Sequence, residues 1–136
     1  MKGSLNIGSL KLPVAAATKG IGFIGKRGSG KSYGGAVFVE ELAKKQIPFV
    51  VFDPIDVWWG LKVAADGKKK GLPVVVFGKE HADIQLNRTM GRQIARAIVK
   101  ENISCVISTF GMNKTEMRKV CSLETKMVAA MGLLWE

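Results

Sequence analysis

Acid is scarce in this chain, and so are the residues that build metal centres and disulfide frameworks. Its 136 residues hold 11 Asp and Glu against 21 Lys and Arg, with two cysteines and one histidine. Cys105 and Cys121 lack C-x-x-C spacing, so neither a zinc site nor a disulfide framework is indicated, and a reducing cytosol fits. His81 stands alone as a histidine; it is weak ground for metal or acid–base chemistry and reads as a plain loop residue. No apolar run approaches the roughly 20 residues that span a bilayer. Met1 to Ala17 carries Lys2 and Lys11, but Gly3, Asn6, Gly8 and Ser9 break its apolar residues and spoil a signal-peptide core, so a cytoplasmic location is expected.

What is present is a basic, apolar-rich chain. At 47% hydrophobic it is long enough for a single domain with its own core, residues 1–136, and not for two. A net charge of +10 suits a polyanionic partner, nucleic acid or an acidic membrane surface; a solvated basic surface is the plainer reading.

Residues Gly25-Lys26-Arg27-Gly28-Ser29-Gly30-Lys31-Ser32 form a complete G-x-x-x-x-G-K-[ST] phosphate-binding loop. In such a loop glycines let backbone N–H groups turn inward around an oxyanion, Lys31 reaches the β- and γ-phosphates, and the Ser32 hydroxyl completes a Mg²⁺ shell. A nucleoside triphosphate is the implied ligand. Gly20 to Ile24 reads as a buried strand before the loop and Ser32 to Lys45 as a helix after it, the context that separates this motif from a chance glycine-rich turn.

Three further apolar runs, Pro48 to Phe52, Pro73 to Phe77 and Ile103 to Ile107, are nearly continuous rather than alternating. That pattern belongs to strands covered on both faces, and the helical segments between them predict an α/β fold with a mostly parallel sheet. The first helix turns Ala36, Val37, Val39, Leu42 and Ala43 inward, with Glu40–Lys44 and Glu41–Lys45 as outer i,i+4 pairs; Gly34 and Gly35 either permit close packing or are tolerated weaknesses. A helix over Arg88 to Glu101 buries Met90, Ile94, Ala97 and Ile98 and stacks Arg88, Arg92, Arg96 and Lys100 at i,i+4 spacing without acids. That row is either an ordinary solvated face or a contact for DNA phosphate or a neighbouring subunit. Asn113 as N-cap, Glu116 three residues on, and Met112 with Met117 announce a third helix running to the end, its apolar face continuing through Val120, Cys121, Met127, Val128, Met131 and Leu134.

After the second strand comes Phe52-Asp53-Pro54-Ile55-Asp56-Val57-Trp58-Trp59-Gly60-Leu61. Asp53 falls at a strand's carboxyl end, where open α/β sheets place ligand-contacting groups; it either positions Mg²⁺ or water near a γ-phosphate or caps the following turn. Trp58 and Trp59 either line a nucleotide or subunit contact or pack on the sheet.

Together with Gly25-Lys26-Arg27-Gly28-Ser29-Gly30-Lys31-Ser32-Tyr33, this stretch resembles the HerA/FtsK superfamily of RecA-like P-loop motor ATPases, over about residues 13 to 110. The resemblance implies a hexameric ATPase that uses ATP and Mg²⁺ to move double-stranded DNA, or a partner machine, through a central pore. Residues Gly25 to Tyr33 would hold the nucleotide, Lys31 and Asp53 would serve catalysis, and Ser32 and Asp53 would hold the metal. The family also needs a strand ending in Asp-Glu, one acid on the magnesium shell and one activating water. No such strand is visible, and Ser108 falls where related proteins tend to have Asp. The expectation is therefore an incomplete core, the N-terminal part of a longer ATPase or a shortened homologue, that binds Mg-nucleotide and hydrolyses it poorly. Two rivals stand beside it. In a small nucleotide or metabolite kinase Asp53 would contact an acceptor hydroxyl, although Ala64 to Lys79 lacks the arginines of a lid. A non-catalytic module would assemble with a full-length ATPase and keep nucleotide as a structural ligand.

Overall fold

The computed structural model describes residues 3–19, 21–120 and 122, and the chain divides into two compact units at Ile47 and Pro48. In the first unit, β1 (Ser4–Ile7) and β2 (Leu10–Pro13) form an antiparallel hairpin with Leu5 opposite Leu12 and Ile7 opposite Leu10. The two-residue connection begins with Gly8 at φ 62°, a left-handed conformation that suits a hairpin turn. The glycines and polar residues that break an apolar leader are thus the punctuation of a hairpin. A 3₁₀ turn (Val14–Thr18) follows.

Helix α1 (Lys31–Lys44) packs on β1, with Leu5 wholly buried and Val39 and Leu42 buried on the helix. Glu41 departs from its expected place outside. It is buried, its Oε2 accepts the Asn6 N–H at 2.9 Å, and its Oε1 meets the Lys44 ammonium at 2.7 Å, so its pair is i,i+3 with Lys44 rather than i,i+4 with Lys45. The cause is the hairpin: an amide of β1 that no strand pairs needs an acceptor, and Glu41 supplies it. Lys44 first and Asn6 second hold the Glu41 carboxyl below its ordinary range, and Glu41 in turn raises the Lys44 ammonium.

The second unit is built on a four-stranded, all-parallel sheet, β3 (Val50–Asp53), β6 (Ser104–Ser108), β4 (Val74–Gly78) and β5 (Ile84–Gln85) in that spatial order. β6 lies between β3 and β4 and sets Asp53 beside Ser108 and Phe77 beside Ile107. The three apolar runs from Pro48, Pro73 and Ile103 become β3, β4 and β6; in β4 and β6 the continuity reflects burial, with Val74, Val76, Cys105, Val106 and Ile107 all in the core, whereas β3 is an edge strand among the described residues, with Val50 and Val51 half-buried and Phe52 exposed. Parallel neighbours normally need a long crossover, yet only residues 79–83 separate β4 from β5. The short link suffices because β5 pairs only with Phe77 and Gly78, so the chain returns by about two strand residues, about 7 Å.

Helix α2 (Gly91–Glu101) packs Ile94 and Ile98 against Phe77, Cys105 and Ile107, with Leu86 and Val120 completing the cluster. It starts three residues later than Arg88, because Asn87 builds a turn of its own: its side chain accepts the Thr89 N–H at 2.9 Å and the Thr89 hydroxyl at 2.6 Å. Ala95 is buried in place of Ala97, which is half-buried. The helix ends at Asn102 in a left-handed conformation, φ 52°. A third helix covers residues 114–120, and its capping box is complete: the Asn113 N–H donates to Glu116 Oε2 at 3.1 Å and the Glu116 N–H to Asn113 Oδ1 at 2.9 Å. Cys121 and the apolar positions from Met127 on lie outside the described residues.

The expected strand at Gly20 to Ile24 is absent over its described part. Residues 21–26 have no regular structure, and Ile24 is 97% exposed. An apolar run becomes a strand only where a neighbour accepts its backbone bonds, and among the described residues none pairs with it. Among the described residues, no helix is long and apolar enough to cross a membrane.

Candidate phosphate loop and the carboxyl edge of the sheet

The first unit carries the loop at residues 25–32 as a tight coil running into α1. Gly28 (φ 79°) and Gly30 (φ 88°) take left-handed backbone conformations that an L side chain adopts only under strain. At Gly25 a Cβ would press on Ser29 Oγ, whose hydroxyl donates to the Lys26 carbonyl at 2.7 Å, so a larger residue there would turn that hydroxyl out of its bond. The Lys31 ammonium folds back over the coil and donates to the carbonyls of Gly25 at 2.7 Å and Lys26 at 2.6 Å. Lys26, Arg27 and Lys31 concentrate three positive charges in six residues, and no acid occupies the first turn of α1.

The donors of this coil are open. Gly30 is the N-cap and has no side chain to offer, and no acceptor among the described residues meets the N–H groups of Gly28, Lys31, Ser32 or Tyr33, nor the Ser32 hydroxyl. Loop residues 25–30, Ser32 and Tyr33 are exposed. A helix start with free amides, a positive macrodipole end and a tethered ammonium carries the charge and donors that attract an oxyanion. Behind it, the Phe23 ring lies against Gly34, where a Cβ would stand 3.0 Å from Cε1, and meets Phe38 edge-on at 6.5 Å between centroids. Gly34 thus leaves room for an aromatic ring rather than for a neighbouring backbone near the phosphates.

In the second unit the carboxyl ends of β3, β6 and β4 carry the polar groups. Asp53 is wholly buried and starts the turn that follows it. Its Oδ1 accepts the Ile55 N–H at 3.1 Å, and its Oδ2 accepts those of Val57 at 2.8 Å and Trp58 at 2.7 Å. The turn-capping role of an Asp before Pro is therefore occupied, and both carboxylate oxygens are spent on it.

Three residues away, Asp56 sits in a left-handed conformation (φ 57°) and makes a cluster that composition and spacing do not announce. Ser108 Oγ donates to Asp56 Oδ1 at 2.7 Å, and His81 Nδ1 lies 3.0 Å from Asp56 Oδ2. The imidazole stacks on Trp59, centroids 4.3 Å apart and planes within 7°. His81 first and Ser108 second hold the Asp56 carboxyl below the usual carboxylate range. His81 is thus more than a plain loop residue, and Trp59 packs on it. A histidine 25 residues and one strand beyond its carboxylate in sequence, with a serine from β6 on the same group, could be found only by knowing that β6 inserts between β3 and β4. Alongside, Lys62 bonds Asp83, whose other oxygen accepts the Val76 N–H at 2.9 Å; both lower the Asp83 carboxyl, Lys62 most.

On α2, Arg92, Arg96 and Lys100 are exposed and meet no acid among the described residues, and Arg88 is exposed in the turn before the helix. Lys68, Lys69 and Lys70 close a hairpin in which Asp66 Oδ1 accepts the N–H groups of Lys68 and Lys69 at 2.9 and 3.0 Å. Among the described residues no group of three His, Cys, Asp or Glu is placed to hold a metal ion. Comparison with known proteins finds no match to any family model, any curated protein or any solved structure.

Proposed function

We propose that this chain binds a nucleoside triphosphate, ATP with Mg²⁺, through Gly25 to Tyr33, as part of a RecA-like P-loop ATPase of the HerA/FtsK kind that acts on DNA. The observation that carries the reading is the coil at residues 25–31, whose unpartnered amides and tethered Lys31 ammonium suit a phosphate's negative charge. Ser32, exposed at the helix start, would hold a magnesium ion, which would supply positive charge against the phosphates. The basic row Arg92, Arg96 and Lys100, with Arg88 before it, is the surface for DNA phosphate or for a neighbouring subunit of an oligomer.

Hydrolysis is the weak part of such a protein. Asp53, the acid assigned to metal and water, has both oxygens on backbone amides of its own turn. That observation favours a second reading beside the first, a nucleotide-holding partner of a complete ATPase. Calorimetry with Mg-ATP tests the shared claim. Binding that Lys31→Ala weakens tenfold or more, about 1.4 kcal/mol, is the expected result; no heat of binding with the intact chain would sink it. Steady-state phosphate release near background separates the holding role from a motor, and fast turnover lost in Lys31→Ala would restore the motor.

A further inference from the structure

We propose that the carboxyl edge of the parallel sheet carries a general-base site in which His81, oriented by Asp56, takes the proton of a hydroxyl, from water or an alcohol. The proposal stands apart from the phosphate loop and uses residues of the second unit alone.

An ionised carboxylate only accepts hydrogen bonds, so the atom facing Asp56 Oδ2 must be Nδ1–H, and the neutral ring then carries its lone pair on Nε2. Nδ1 is committed, Trp59 covers one face of the ring and fixes its plane, and the side chain is 42% exposed, so Nε2 is the nitrogen left for a ligand. The carboxylate that does the orienting is itself fixed: its side chain is 14% exposed, Ser108 holds its other oxygen, and its backbone takes a φ that costs a non-glycine residue free energy. An imidazole whose Nδ1–H is held by a carboxylate has in Nε2 a lone pair that can take the proton of a hydroxyl.

In the step assigned to it, the hydroxyl O–H bond breaks and its proton joins the Nε2 lone pair. The oxygen's electron pair forms a bond to the electrophilic carbon or phosphorus of an ester or anhydride. The leaving group departs with the electrons of the broken bond and receives the proton from Nε2–H, while Nδ1–H stays on Asp56 and stabilises the imidazolium between the two events.

His81 is the only histidine, so its ring can be read in the intact chain without ambiguity. Nitrogen-15 NMR near neutral pH should show the neutral ring protonated at Nδ1, and diethyl pyrocarbonate should acylate Nε2 at least threefold faster than it acylates N-acetylhistidine amide. Asp56→Asn should return the rate to that of the free amide and mix the tautomers, whereas Ser108→Ala, which leaves the His81 bond in place, should change the rate by less than twofold. Ser108→Ala with the wild-type tautomer and rate stands as the folded control if Asp56→Asn loses its fold. A ring protonated at Nε2, or a wild-type rate no faster than that of the free amide, overturns the proposal.

Discussion

Asp53 shows what a single buried side chain decides. Its carboxylate receives three backbone N–H groups and has no exposed surface, so its removal leaves those donors without acceptors in a closed turn. Charged-group hydrogen bonds of this kind contribute about 1.5–3 kcal/mol each when one partner is lost, though not additively. Asp53→Ala should therefore lower unfolding stability by about 3 kcal/mol, read by urea denaturation of the full chain with the far-ultraviolet signal. Gly78 makes a second case. A Cβ at this position would stand 2.9 Å from Ser108 Cβ, a fixed atom on the neighbouring strand rather than the end of a flexible chain. Gly78→Ala should cost about 1–3 kcal/mol by overpacking and should shift the amide resonances of Asp56 and His81, because Ser108 would move with its hydroxyl. Both positions sit at strand ends; Asp before Pro marks the first in the sequence as a turn starter, whereas nothing local marks Gly78 as a point of close approach.

Elements were legible where the reason for them is local. The third helix is the plainest example: Asn113 and Glu116 satisfy each other's amides within four residues, so the signal needs no knowledge of the fold. Asn113→Ala should cost about 1 kcal/mol and reduce helicity without altering the sheet, measured by circular dichroism and denaturation. The central strands β4 and β6 were readable for a related reason, since burial on both faces demands uninterrupted apolar residues; β3 carries the same kind of run at the sheet edge, with Phe52 exposed. The run Gly20 to Ile24 has the same composition and is not a strand over residues 21–24, because strand formation depends on a partner that composition does not supply. The hairpin β1–β2 was missed for the opposite reason: its turn residues look like interruptions until the two halves are seen to pair. Glu41 followed from that omission, since its partner is an amide of the unseen hairpin. On α2 the solvent-facing row supports a prediction about partners. If Arg92 and Arg96 each neutralise one phosphate, replacing both with Ala should reduce the slope of log affinity for duplex DNA against log salt by about 2, measured by fluorescence anisotropy.

At the scale of the molecule, charge sets how stability follows pH. Asp56, Asp66, Asp83 and Glu41 all have carboxyls held below their ordinary values, by His81 and Ser108, by the Lys69 and Lys68 amides, by Lys62 and Val76, and by Lys44 and Asn6. A folded-state value below the unfolded one means that the stabilisation is present in full above the ordinary carboxylate range of about 4 and is lost as pH falls through the folded values. Thermal midpoints should thus be flat with respect to these groups from pH 5 to 7 and fall below about pH 4. Replacing Glu41 with Gln should make that acid-side fall shallower. A chain already carrying +10 at neutral pH gains further positive charge on acidification, and the added self-repulsion acts in the same direction.

What the sequence determined by itself was the chemistry that is contiguous in the chain: the phosphate-loop motif with its glycines and Lys31, the capping box, the basic row on α2, and the apolar strands of a parallel sheet. Each rests on residues within a few positions of one another, so local geometry is enough to state it. Only the tertiary structure decided the rest. It committed Asp53 to its own turn, drew Glu41 inward to serve a hairpin, and brought Asp56, His81 and Ser108 together from positions up to 52 residues apart. The last of these depends on β6 entering between β3 and β4, and strand order is set by packing of the whole sheet, which no short stretch of sequence encodes.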